Sequence, residues 1–122
     1  MGAWGCGNFE NDNASDYMVE VQERLFADVR EVLDGAGISD ELTSTVDAVI
    51  MPIAELLCVI GEHIAPVYLD RSEFEQWRHA VLTAYDRHID EYNPTIDYKT
   101  DRRAVIVQTF ARLDKLISAD EE

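Results

Sequence analysis

The segment Leu42-Thr-Ser-Thr-Val46-Asp-Ala-Val-Ile50-Met-Pro-Ile-Ala-Glu55-Leu-Leu-Cys-Val-Ile60 decides the fold. Its apolar residues Leu42, Val46, Val49, Ile50, Ile53, Leu56, Leu57 and Ile60 recur at three- and four-residue spacing, the period of an α-helix. A stripe this broad belongs to the central, most buried helix of a bundle. Ser39 is the expected N-cap, with Asp40 and Glu41 in the first turn. Pro52 removes one backbone donor, so the helix is expected to kink or split near Met51. Gly61 and Pro66 close the segment. The apolar run Val46–Ile60 contains Asp47, Pro52 and Glu55 and is too short and too charged to span a bilayer.

Helical spacing continues on both sides. Upstream, Ala14, Tyr17, Met18, Val21, Leu25, Val29, Val32 and Leu33 predict a helix from about Asn11–Asn13 to about Asp34. Asn11, Asp12 and Asn13 are cap-forming types, and Gly35 or Gly37 is the expected stop. Downstream, Ser72 and Glu75 read as a capping box opening a third helix that runs to about Tyr92. Phe74, Trp77, Val81, Tyr85, Ile89 and Tyr92 would share one side, and Asn93-Pro94 would end it. A loop over 94–100 and a cap at Asp101 would precede a fourth helix to about Ile117. Its inward residues would be Val105, Ile106, Phe110, Leu113, Leu116 and Ile117. Period-two alternation is absent. The expected fold is therefore all-α: one domain over 1–122, with a bundle of about four main helices across 12–118. An irregular segment 1–11 would dock on it through Trp4 and Phe9, and 119–122 would form an acidic tail.

The chain holds 25 acidic and 10 basic residues among 122, a formal net charge of −15. The charge is uneven: residues 1–63 carry 13 acids against only Arg24 and Arg30. Such a field repels nucleic-acid phosphates and anionic membranes and attracts basic proteins; the alternative use of the same charge is to keep the protein dispersed in solution. No nucleic-acid or membrane partner is expected. The N-terminal string has no basic region or long apolar stretch of a secretory signal, so the cytoplasm is the expected location. Cys58 lies in the apolar run and reads as a buried small hydrophobe. Cys6, between glycines, reads as a free thiol without a basic neighbour to activate it.

The sequence carries no recognisable site of chemistry. Gly-rich nucleotide loops and nucleophile elbows are absent. His63, His79 and His88 lack metal-ligand spacing, and His79 and His88 fall on opposite sides of a helix. Glu10, Asp12 and Asp16 fail the calcium-loop pattern, which needs glycine where Tyr17 stands. Neither a metal nor a cofactor is expected, and no catalytic residue is assigned. Lys99, Arg102 and Arg103 form the one basic cluster. The two arginines, in the first turn of a helix capped by Asp101, would oppose its dipole, and ion pairs to acids of another helix are the expected explanation.

Met1-Gly2-Ala3-Trp4-Gly5, Gly7, Phe9-Glu10-Asn11-Asp12, Ala14 and Asp16 together resemble the opening of a bacterial domain family of unknown function. Its members begin MGAWGxGxFENDxAxD. The resemblance is close over about seventeen residues and implies an all-helical fold and no known reaction. Asn13 and Ser15 depart from the family's usual residues. Trp4, Gly5, Gly7, Phe9, Glu10, Asn11 and Asp12 are expected to be structural, with a binding role for an exposed Trp4 edge as the rival.

The expected function is that of a small acidic protein-binding domain, an immunity protein or inhibitor that neutralises a basic toxin such as a nuclease. Glu20, Glu23, Asp28, Glu31, Asp34, Asp40 and Glu41 are the expected contacts. The alternatives are an enzyme with a carboxylate/histidine pocket and a self-associating structural or regulatory module.

Overall fold

The computed structural model describes residues 3–36 and 45–117. Four main helices carry this part of the chain: α1 (Asp12–Ala36), α2 (Met51–His63), α3 (Arg71–His88) and α4 (Ile96–Leu116). A π-helical turn, Val46–Ile50, leads into α2, and a 3₁₀ turn, Ile89–Tyr92, continues α3. The expected all-α bundle is the observed one. Ser39, Asp40, Glu41, Leu42 and the tail 119–122 lie outside the described residues.

The central segment splits where Pro52 requires it. The Met51 N–H donates to the carbonyl of Val46, five residues back, and α2 starts with Pro52 in its first turn. A proline there has no donor to lose, so the change from π to α pitch places the break where it costs least. Val46, Ile50, Met51, Ile53, Ala54, Leu57, Cys58 and Ile60 are buried. Leu56 is half exposed, so the stripe is narrower than its composition suggests.

Around this segment the core gathers Met18, Phe26 and Val29 from α1, Phe74, Trp77 and Val81 from α3, and Ile106, Phe110 and Leu113 from α4. Phe26 meets Trp77 edge-on at 5.9 Å between centroids, and Phe74 meets Phe110 at 6.0 Å. α2 and α4 pack closely across Gly61. A Cβ there would stand 3.0 Å from Leu116 Cβ and from Val67 Cγ2, which leaves no room for a larger residue.

Several expectations are corrected by the packing. Phe26 and Gln22 of α1 are buried whereas Tyr17 is exposed, because the core-facing stripe is centred on Met18, Gln22 and Val29. Gln22 is polar, but both ends of its amide are bonded. Nε2 donates to Pro66 O at 2.8 Å and Oε1 accepts from the Tyr68 N–H at 3.0 Å. It thereby fixes the connection between α2 and α3, which inserts Val67 and Leu69 into the core.

The cap of α3 is Asp70 rather than Ser72: its carboxylate accepts from the Glu73 N–H at 3.1 Å. The Asp70-x-x-Glu73 spacing matches a capping box as well as Ser72-x-x-Glu75 does, and the helix gains two residues by using it. Tyr92 is exposed, while Asn93 takes the left-handed conformation (φ 51°) that ends the 3₁₀ turn ahead of Pro94. α4 begins at Ile96, not after Asp101, because Thr95 Oγ1 accepts from the Tyr98 N–H at 3.1 Å. Val105 is exposed, about 100° around the helix from buried Ile106.

Ion pairs tie the helices together. Arg30 on α1 holds Glu73 on α3 through two hydrogen bonds of 2.6 and 2.7 Å, and Trp77 Nε1 donates to the same carboxylate at 3.3 Å. The Arg30 guanidinium holds the Glu73 carboxyl below the usual glutamate range, against partial burial that opposes ionisation. The folded form thus binds a proton at Glu73 less readily than the unfolded chain. Its stabilisation is present above the ordinary glutamate pKa and is lost as pH falls through the lower folded value. Asp86, held down by Arg103, acts in the same direction. Urea unfolding between pH 7 and pH 3 should therefore show acid destabilisation that a Glu73→Gln variant shares less. A slope unchanged by that variant would remove Glu73 from the account. Both partners are partly solvated, so the effect is modest, about 1 kcal/mol.

Candidate functional site

The N-terminal string is a self-contained loop. Ala3 and Asn11 form an antiparallel bridge, and the Trp4 N–H donates to Glu10 O at 3.0 Å. The Glu10 carboxylate folds back beneath the loop and accepts from the Gly7 N–H at 2.9 Å. A Cβ at Gly5 would sit 2.0 Å from Glu10 Oε1, and one at Gly7 would sit 3.0 Å from Glu10 Cδ. The glycines are therefore needed for the close approach of that carboxylate. Asn11 caps α1, its Oδ1 accepting from the Ala14 N–H at 2.8 Å, and Asp12 adds negative charge to the first turn.

Gly5, Gly7, Glu10 and Asn11 thus form one interlocked unit with a structural role. Trp4 and Phe9 do not. They are 59% and 42% exposed, so the expectation that they dock on the bundle is overturned. The loop is closed by its own hydrogen bonds, and two large apolar side chains stand largely exposed beside the start of α1.

α1 carries the expected acidic surface. At 3.6 residues per turn, Asp12, Asp16, Glu20, Glu23, Glu31 and Asp34 fall within about 100° of the helix circumference. The stripe runs about 33 Å, at about 1.5 Å rise per residue. All six are exposed, on the face turned away from Met18, Gln22 and Val29, and Asp28 stands at its flank. Glu20 meets Arg24 at 4.0 Å with both side chains two-thirds exposed, and Glu23 meets Arg30 at 3.7 Å. Pairs this exposed do little to neutralise the face. Asp12, Asp16, Asp28, Glu31 and Asp34 make no ion pair among the described residues. Asp40 and Glu41 lie outside the described residues.

Most of the other cations are committed elsewhere. Arg71 pairs with Asp114 at 2.6 Å, and Arg78 with Glu75. Arg112 bridges α4 to Glu55 and Glu62 of α2 at 2.9 and 2.6 Å. The basic cluster is absorbed in the same way: Lys99 meets Asp90 at 2.7 Å, Arg102 meets Asp47 at 2.7 Å, and Arg103 meets Asp86 at 2.8 Å. Because α4 starts at Ile96, Arg102 and Arg103 lie in its second turn, and their conflict with the helix dipole is largely relieved.

The histidines are dispersed. His63 is exposed beside Glu62 at 3.9 Å, His79 is exposed, and His88 is buried with Nδ1 3.0 Å from Glu91 Oε2. No group of three or more His, Cys, Asp or Glu side chains able to hold a metal occurs among the described residues. Burial pushes the Cys58 thiol up to about 11, so it stays protonated and inert, while Cys6 is exposed. No helix among the described residues is long and apolar enough to cross a membrane.

A family model described as a domain of unknown function (DUF4259) matches residues 2–122. The chain belongs to this family. The DUF4259 match extends from the N-terminal loop through all four helices, so the loop and the bundle form one family unit. No curated protein and no solved structure matches the chain.

Proposed function

We propose that this DUF4259 domain is a protein-binding domain of the bacterial cytoplasm that neutralises a basic protein, as an immunity protein or inhibitor of a toxin such as a nuclease. One observation carries the reading. The chain's cations are mostly consumed in ion pairs between helices, whereas the outer face of α1 keeps a long stripe of carboxylates with little opposing charge.

A cleft that binds a phosphate backbone is cationic, and a rigid stripe of carboxylates is complementary to it in charge and in linear form. Trp4 and Phe9, at the N-terminal end of the stripe, supply apolar anchors of the type that dominates interface energetics. They sit on a loop already closed by its own hydrogen bonds, so little ordering is needed on binding.

The test uses basic proteins encoded beside the gene, titrated against the purified chain at low and high salt. The expected result is a complex whose association rate falls steeply with ionic strength. A Glu20→Lys/Glu31→Lys variant should associate about tenfold more slowly, and Trp4→Ala should dissociate faster. If no basic protein encoded by a neighbouring gene binds at low salt, the proposal fails.

A further inference from the structure

We draw no further inference here: the strongest candidate, the exposed apolar stripe of Pro52, Leu56 and Val59 on the outer face of α2, carries nothing because nothing in the structure shows what covers it.

Discussion

Truncating Trp77 to alanine should lower the unfolding free energy by about 3–5 kcal/mol, the usual cost of removing a large aromatic from a packed core. Trp77 is 2% exposed and meets Phe26 edge-on, so its removal opens a cavity between α1 and α3. It also takes away the indole N–H that supports Glu73 in its pair with Arg30. Against a typical domain stability of about 5–15 kcal/mol, such a loss leaves the variant marginal. Urea unfolding followed by circular dichroism at pH 7 measures it. Trp4→Ala is the internal control. With Trp4 mostly exposed, its loss should change stability by less than about 0.5 kcal/mol. Equal losses from the two variants would mean that Trp4 is packed on the bundle after all.

Gln22→Leu should cost about 2–5 kcal/mol, although leucine is apolar, similar in size and at home in a core. The penalty comes from the partners left behind. The partly buried Tyr68 N–H and Pro66 carbonyl would lose the amide that satisfies them, and a group left so costs about 1–3 kcal/mol. The same unfolding measurement applies. Hydrogen exchange at Tyr68 should accelerate more than exchange in α4, because Gln22 holds the connection rather than the far helix. A variant as stable as the original chain would show that water replaces the side chain without loss.

Most of the fold was legible because helical periodicity and terminal chemistry are local. The stripe of α2, the effect of Pro52 and the Asn93-Pro94 stop depend on residues a few positions apart, and each is present in the structure. The errors fall where two local solutions compete. Asp70 and Ser72 both offer a capping-box spacing, and Thr95 and Asp101 both offer a cap for α4. Spacing cannot choose between them. The longer helices win, and with α4 extended to Ile96 the cluster Lys99, Arg102 and Arg103 is no longer an anomaly.

The acidic candidates Glu20, Glu23, Asp28, Glu31 and Asp34 were readable one by one, since exposed carboxylates on a helix follow from its polar positions. That they form a weakly neutralised stripe was not readable. It depends on where the arginines point, and Arg30, Arg71, Arg102 and Arg112 reach across 43 to 57 residues of sequence to acids on other elements. Gln22 was hidden for a related reason: a polar residue in an apolar stripe looks like an error in the pattern until the distant backbone it satisfies is known.

For this protein the sequence by itself determined the helical class, the order of the helices, the break at Pro52 and the acidity of α1. Each of these follows from short-range periodicity and charge. Only the tertiary structure decided that Trp4 and Phe9 stand outside the core, that Gln22 is buried with both ends of its amide bonded, and that the arginines of α4 pair with acids of other elements. These are properties of which side of an element meets another, and that choice is made by long-range packing, in which the whole chain takes part.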